Sequence, residues 1–296
     1  MVRARSNVYG PDAGLIILTM SSSTSSCSLK SQLRLAFEIN ELGNTRLAER
    51  YHQGLFHVGK AYSDEGFLKL QIVNPTAGLF ANDVLESNLL LRENCKVSLS
   101  SPSSKQIYTM GDGGRAVSEQ NIIIEDRSFL ELNARWIVPH KGSSFTAKTK
   151  IEMPESEGMF YADMLSPGRN AFGESMAFRD LRLSFQLSIG GKKVSQEKIE
   201  LMNEQEKIAW IPKNWETVYL ATLWIVSPDL PKGIKEVEEI EASFPEMKKT
   251  FIGATRLDRN ITVVRIISES VIYVHRHINN VREIFKKHIL LTNFRY

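Results

Sequence analysis

The chain has 296 residues, of which 42% are hydrophobic and 24% are charged, a composition typical of a soluble globular protein and not of a disordered chain or a coiled coil. Its 37 lysines and arginines and 34 aspartates and glutamates predict no broad positive field and no binding to nucleic acid.

The two cysteines, Cys27 and Cys95, are far apart, which predicts neither a disulfide framework nor a thiolate zinc site, and favours a reducing compartment, the cytoplasm. No apolar run approaches the roughly 20 residues of a membrane span, so no membrane segment is predicted.

The amino-terminal segment differs in composition from the rest of the chain. Two arginines precede an apolar stretch at 13–20, an order that imitates a secretory signal, but the stretch is short and no small-x-small cleavage site follows it. The serine-rich stretch at 21–28 is too polar to pack in a core. We therefore predict a flexible tail over residues 1–29 and a single β-rich domain over residues 30–296.

From residue 33 onward, hydrophobic side chains alternate with polar ones, which is the pattern of strands that bury one face. In the clearest case, at 181–189, hydrophobic residues occupy every odd position, and Gly190 and Gly191 then predict a hairpin whose return begins at Lys192. Further strands are predicted at 33–39, 45–50, 67–73, 84–91, 96–100, 121–125, 129–138, 145–151, 159–165, 217–227 and 261–267.

These strands follow one another at short intervals, and no amphipathic helix between residues 30 and 227 supplies the crossovers of an α/β protein. We therefore predict an all-β fold built as a stack of sheets. No consensus of fixed period recurs, so the sequence alone does not indicate a regular hexapeptide solenoid.

A helix is predicted near residues 269–291. Its apolar side chains fall on one helical face, and basic residues near its end complement the macrodipole. Ser268 is placed to cap this helix, and Glu269 suits its positive end. A shorter helix is predicted at 232–242, with its glutamates in solvent. The apolar face of the longer helix comprises Val271, Val274, Ile278, Val281, Phe285 and Ile289.

The motifs of common enzymes are missing. Neither HExxH nor Gly-x-Ser-x-Gly occurs, and the glycines at 111–114 predict a plain turn because no Gly-Lys-Ser/Thr and no helix follow them. Ser195 and Lys198 have the Ser-x-x-Lys spacing without its companion motifs. His275 and His277 are two residues apart, so on a helix they point in different directions and are expected to face the surface or a partner. We predict that the chain is not an enzyme.

Carboxylates next to turn residues remain as candidates for chemistry. They are Asp64, Glu65, Asp83, Asp163 and Glu174. Sites made only of oxygen donors hold a borderline metal such as nickel weakly, because such ions prefer nitrogen and sulfur. Weak binding suits a site that passes the metal ion on better than a site that stores it. For each acid taken alone, a solvated turn residue is the competing interpretation.

Several of these loops resemble the motifs of a known family. In the loop at 74–83, the family pattern Pro-x-Gly-Gly-x-x-Gly-Gly-Asp is matched by Pro75, Gly78 and Asp83, while alanine or asparagine replaces the other glycines. The strongest match is to an acid that lies five residues before Gly-Arg-x-Ala-x-Gly-Glu. It comprises Asp163, Gly168, Arg169, Ala171, Gly173 and Glu174.

Two further segments follow the same order. Ser100, Ser101, Pro102 and Tyr108 are similar to a Thr-Thr-Pro...Lys-x-Tyr segment, and Trp136, Pro139 and Phe145 are similar to a segment that carries Trp, Pro and Phe. Over about residues 33–292, the order and spacing of these motifs resemble the family of urease accessory protein D (UreD, called UreH in some organisms).

The resemblance implies a β-helix-like core with few helices and a non-catalytic role in urease maturation. Such proteins act as a scaffold between the urease apoprotein and the accessory proteins F and G. Nickel is thought to pass through an internal channel, so no cofactor is held tightly and nickel is only in transit. Carried over to this sequence, the nickel path comprises Asp64, Glu65, Asp163 and Glu174. The residues that shape its loops are Asp83, Gly168, Arg169 and Gly173.

The final helix is a candidate docking element for accessory protein F. The side chains that would contact this partner are Val274, Ile278, Val281 and Phe285. The alternative for this apolar stripe is that it covers the β core of its own chain. For the protein as a whole, the alternative is a β-rich binding or structural protein without a metal role.

Overall fold

The computed structural model of the chain describes residues 28–74, 78–111, 113–155, 158–202, 215–227, 249–258 and 260–292. The predicted helix at 232–242 and nearly all of the predicted tail lie outside these residues. The helix α1 spans Val271–Thr292, and a 3₁₀ turn spans Asn170–Phe172. The strands are β1 (Lys30–Ile39), β2 (Thr45–Gln53), β3 (His57–Val58), β4 (Tyr62–Asp64), β5 (Phe67–Val73), β6 (Val84–Leu91), β7 (Lys96–Ser100), β8 (Lys105–Ile107), β9 (Ala116–Ile124), β10 (Phe129–Pro139), β11 (Ser144–Met153), β12 (Gly158–Leu165), β13 (Gly168–Arg169), β14 (Glu174–Ser175), β15 (Asp180–Ile189), β16 (Lys192–Met202), β17 (Tyr219–Val226), β18 (Thr250–Asp258) and β19 (Ile261–Ser268).

Two large sheets face each other and are wound from alternating strands of the chain. Sheet 1 has the order β16-β15-β11-β9-β6-β1-β2, and sheet 2 has the order β18-β19-β17-β12-β10-β7-β5-β3. From β5 to β15 each coil of the chain gives one parallel strand to each sheet, which makes the fold β-solenoid-like. The predicted all-β stack of sheets is therefore confirmed.

The ends of the solenoid are closed by antiparallel strands. At one end β16 returns along β15 as the predicted hairpin, and β17, β19 and β18 extend sheet 2 in antiparallel order. Sequence reasoning missed β3, β4, β8, β13 and β14, because strands of two or three residues are too short to show alternation. It also missed β18, in which Gly253 and Ala254 weaken the strand signal.

Sheet 2 is apolar on both faces, whereas sheet 1 is apolar on one. The inner faces of both sheets form the main core, and the outer face of sheet 2 forms a second core with α1. For this reason β17 is buried from Leu220 to Val226 without alternation. The outer face of sheet 1 meets solvent and carries ion pairs such as Lys148 with Glu119.

The apolar face of α1 packs on its own chain. Val274, Ile278, Val281 and Phe285, which were predicted to bind a partner, are all buried against the outer face of sheet 2. A partner could reach them only after the helix had been lifted from the sheet, so their role in docking stays a prediction. Within the described ranges, no helix has the length and apolarity needed to cross a bilayer.

The amino-terminal cap of α1 corrects the sequence prediction. The cap is Ser270, whose hydroxyl accepts a hydrogen bond from the Tyr273 amide at 3.4 Å and whose carbonyl accepts one from the Val274 amide. Ser268 is instead the last residue of β19, and its buried hydroxyl contacts Thr250 and the Ser270 amide. The helix therefore begins at Val271, two residues after Glu269, where a cap at Ser268 would start it.

Charged and polar groups on α1 also meet sheet 2. Glu131 on β10 is buried, and its carboxylate lies 3.5 Å from both the Arg282 guanidinium and the Lys286 ammonium. His277, predicted to face the surface or a partner, is fully buried because it lies on the helical face that meets the sheet. His275 is exposed and accepts a hydrogen bond from the indole of Trp136 on β10 at 2.8 Å.

Replacing Ile278 with alanine is expected to lower the free energy of unfolding by about 2–4 kcal/mol, because it leaves a cavity between α1 and sheet 2. Ile272 lies on the same helix but is 66% exposed, so it provides the matched control. Ile272→Ala is expected to change the free energy of unfolding by no more than about 0.5 kcal/mol. Urea unfolding of both variants measures the difference. Equal losses would show that the helix is not anchored through this face.

Candidate functional site

A line of polar residues crosses the interior between two apolar layers of the core. On sheet 1, parallel in-register pairing aligns Ser87, Gln120 and Thr149 across β6, β9 and β11. Phe185 follows in the same register on β15, and Glu197 lies beyond it on β16. Sheet 2 presents a facing set, Asp163, Thr222 and Arg265, which are paired in register across β12, β17 and β19. We call these seven polar residues the polar belt.

A cavity of about 120 Å³ opens along the polar belt. It is lined by every belt residue except Arg265, and also by Lys105 from β8. The Lys105 ammonium donates a hydrogen bond to the Ser118 hydroxyl at 3.1 Å. Its walls combine these polar groups with apolar side chains of the core. Because the volume exceeds that of a single water several times over and polar groups line part of it, the cavity can hold water beside the belt.

Asp163 is held at the centre of this cavity by a chain of hydroxyl groups. The Tyr161 hydroxyl donates to Asp163 Oδ1 at 2.8 Å, and lies 3.2 Å from the Thr149 hydroxyl of the opposite sheet. Protein surrounds Asp163 on all sides, and the surface that it retains faces the cavity. Burial raises the pKa of Asp163 to about 6, against the lowering effects of the Tyr161 hydrogen bond and the Lys105 charge.

A second carboxylate lies where the cavity approaches solvent. Glu197 forms an ion pair with the Arg265 guanidinium, which joins the last strand of sheet 1 to sheet 2. Burial raises the pKa of Glu197, and the charge of Arg265 opposes that shift. The Glu197 charge also contributes to the raised pKa of Asp163, so the two carboxylates sense each other across the cavity.

An aromatic wall bounds one side of the cavity. The rings of Phe185 and Trp224 are stacked at 3.8 Å between centroids, and Tyr161 packs against both. Phe185 lies in register between Thr149 and Glu197, whereas Tyr161 and Trp224 pair with each other two residues along from Asp163 and Thr222. These rings fix the position of the Tyr161 hydroxyl that holds Asp163.

Of the four carboxylates predicted to lie near a nickel path, only Asp163 lines this cavity. Asp64 and Glu65 lie on the exposed turn between β4 and β5, where both approach the Lys69 ammonium. The hydrogen bond from Lys69 is the main cause of the lowered pKa of Asp64. The role of these two acids in metal transfer stays a prediction.

Glu174 is engaged in a tight ion pair. Both of its carboxylate oxygens accept hydrogen bonds from Arg169, at 2.9 and 2.5 Å, and the Lys141 amide donates to it at 3.1 Å. These bonds, with Arg169 first, lower the pKa of Glu174 to about 2. The ion pair braces the β13–β14 hairpin, and the Lys141 amide joins this hairpin to the chain just after β10. Glu174 therefore lies beside Arg169, among the residues predicted to shape the loops.

Gly168 and Gly173 in this hairpin would each oppose a side chain, but for different physical reasons. Gly168 has φ +133°, and a Cβ there would overlap the Glu174 carbonyl oxygen. Gly173 has φ +69° in open space, so a side chain there would meet only backbone strain. Both positions are consistent with the predicted loop-shaping role.

The loops that carry the family motifs all lie on one side of the solenoid, because each is the same corner of a successive coil. The Leu79 amide donates to the Gln106 carbonyl, and the His140 amide donates to the Ile107 carbonyl, each at 2.9 Å. Asp83 fixes the first corner, since its carboxylate accepts hydrogen bonds from the Leu29 and Phe80 amides at 2.9 and 2.8 Å.

Sequence reasoning missed most of the polar belt. Glu197 shares the inward parity of Ile199 and Leu201 on β16, so alternation could have placed it in the interior. Ser87, Gln120 and Thr149 gave no such signal, because their alignment depends on the register between coils. Among the described residues, no group of three His, Cys, Asp or Glu side chains converges as a metal centre would require.

Comparisons with known proteins identify the family. The family model described as UreD urease accessory protein matches residues 30–295. The urease accessory protein UreD of Opitutus terrae is 33% identical over 165 residues, which is 55% of this chain and 60%, under two thirds, of that relative. The UreD proteins of Actinobacillus pleuropneumoniae serotype 7 and Haemophilus influenzae are 23% and 26% identical, and the matches cover 87% and 81% of this chain and 98% and 92% of those proteins. The chain therefore belongs to the UreD family of urease accessory proteins.

Replacing Asp163 with asparagine is expected to stabilise the fold at neutral pH. The raised pKa means that the stability associated with neutral Asp163 is complete below the ordinary pKa of 3.8 and is lost as the pH rises through about 6, a loss of at most about 3 kcal/mol. Asparagine stays neutral and can still accept the Tyr161 hydrogen bond. In urea unfolding, Asp163→Asn should therefore match wild type near pH 4 and exceed it by about 1–3 kcal/mol near pH 7.5. A variant less stable than wild type at pH 7.5 would contradict the proposed environment of Asp163.

Proposed function

We propose that this chain is a maturation scaffold for urease that binds the urease apoprotein and the accessory proteins F and G, and that nickel passes through its interior along the polar belt. Nickel is cargo in this proposal and not a resident cofactor. The supporting observation is the position of Asp163, a carboxylate that lines an interior cavity together with hydroxyl and amide groups, between apolar parts of the core.

The donors along the polar belt fit a cation in transit better than a stored one. They are carboxylate, hydroxyl and amide oxygens, from Asp163, Thr149, Thr222, Ser87 and Gln120. A divalent nickel ion binds such oxygens less strongly than imidazole or thiolate. The belt spaces these donors over several strands, so an ion can exchange one set of weak ligands for the next.

Asp163 would attract the cation, and its surroundings would keep that attraction moderate. With a pKa of about 6, the carboxyl group is mostly ionised at neutral pH and can accept a cation without first losing a proton. The Tyr161 hydroxyl already occupies one carboxylate oxygen, and the Lys105 ammonium contributes an opposing charge in the same cavity. Both features limit how tightly a metal ion is held.

The scaffold role assigns the partner surfaces to the outside of the molecule. The stacked corner loops carry the motifs that resemble the family, and exposed Phe80 and Phe172 lie on them. We infer that partner contacts use these loops rather than the buried face of α1, and that assembly takes place in the cytoplasm.

An activation assay with Asp163→Asn tests this proposal. Wild-type chain or variant is co-expressed with the urease apoprotein and accessory proteins F and G, and the purified complex is assayed for composition, nickel content and urease activity. Both chains should form the complex, but the variant should deliver at least about tenfold less nickel, because a carboxylate on the path is lost. Glu119→Gln, on the exposed outer face of sheet 1, is the matched control and should deliver nickel as wild type does.

Two results would contradict parts of the proposal separately. Full nickel delivery by Asp163→Asn would remove the metal path and leave a scaffold without a metal role. Absence of any complex with the wild-type chain would remove the scaffold role itself.

A further inference from the structure

The ion pair between Glu197 and Arg265 lies at the boundary between the polar belt and solvent. The Glu197 side chain is 18% exposed and the Arg265 side chain is 49% exposed, so exposure rises from the carboxylate to the guanidinium. Glu197 belongs to β16, the edge strand of sheet 1, and Arg265 to β19, next to the edge of sheet 2. The pair therefore spans the two sheets on the open side of the sandwich.

The charged form of the Glu197 carboxylate needs a cation beside it, whereas the Arg265 side chain can move away into solvent. Most of the Glu197 carboxylate is removed from solvent, and burial disfavours its charged form unless an opposite charge is near. The Arg265 guanidinium is half exposed, so it can move into water with little loss of hydration. A half-exposed ion pair of this kind contributes only about 1 kcal/mol, which makes it easy to break and re-form.

The position of Arg265 relative to Asp163 connects this pair to the interior. Thr222 separates the two residues on neighbouring strands of sheet 2, so their Cα atoms are about 10 Å apart on the same inner face. A cation that replaced Arg265 at Glu197 would lie one strand away from the Thr222 hydroxyl and two from Asp163. The exchange would thus place it at the start of the polar belt.

We propose that Arg265 gates the polar belt: it closes the mouth by pairing with Glu197, and a divalent cation opens the belt by taking its place on that carboxylate. This inference rests on the proposed passage of nickel. To the proposed path it adds a carboxylate at the mouth, Glu197, and a cationic side chain, Arg265, which an incoming metal ion can displace.

Quenching of Trp224 emission by nickel(II) tests the gate. Trp224 lines the cavity and lies two residues along β17 from Thr222, so an ion that reaches Asp163 comes within about 7 Å of its strand position. Full-length chain is mixed with nickel chloride in a stopped-flow instrument. The component of quenching that is missing from a Trp224→Phe variant reports arrival in the interior, separately from binding at the surface.

Arg265→Met is expected to speed this component at least about fivefold, which corresponds to ~1 kcal/mol in the barrier. Arg265→Gln removes the same charge but keeps a polar side chain and should also speed it, which keeps the test valid if one variant does not fold. Arg182→Met is the matched control, since Arg182 is 50% exposed and paired with Asp180, on the outer face of neighbouring β15. It should leave the rate unchanged.

The possible failures are distinguishable. If the Trp224 component appears at the same rate in wild type, Arg265→Met and Arg265→Gln, or if Arg182→Met speeds it equally, the gate is wrong and the passage stands. If no Trp224 component appears in any protein at any nickel concentration, the passage fails and the gate fails with it.

Discussion

The structure depends on one constraint, which is that a line of polar side chains lies inside an otherwise apolar sandwich. Burying such groups is costly unless they find partners, and here they find one another across the two sheets. The Thr149 hydroxyl meets the Tyr161 hydroxyl, which in turn holds Asp163, while Glu197 meets Arg265. A cavity lies along them, and the polar groups in its walls can hydrogen-bond to water there.

The second core on the outer face of sheet 2 supports this arrangement. With α1 packed behind it, sheet 2 is held between two apolar layers, and its inward side chains keep a fixed spacing from sheet 1. The apolar face of α1 is thereby committed to the chain itself. In the proposed scaffold role, urease and the accessory proteins would contact the outer surface, where the corner loops of successive coils stack on one side.

The sequence predicted the fold class and most strands, since alternation is a local property that each strand carries by itself. It also predicted the final helix, because Val274 to Phe285 repeat at helical spacing. It did not predict the polar belt, because Ser87, Gln120 and Thr149 are unremarkable one by one and become a line only through the register between coils. Asp64, Glu65 and Glu174 were grouped with Asp163 by resemblance and by their neighbouring turns, whereas the winding of the chain directs only Asp163 inward.

The central claim is that a nickel ion can reside between the two sheets. The most direct measurement is a crystal structure of the chain soaked with nickel(II), with anomalous difference maps recorded on both sides of the nickel absorption edge. An anomalous peak is expected in the cavity, within coordination distance of Asp163 and weaker in an Asp163→Asn crystal. Peaks confined to the surface, for example at Asp64 and Glu65, with none along the polar belt would contradict it.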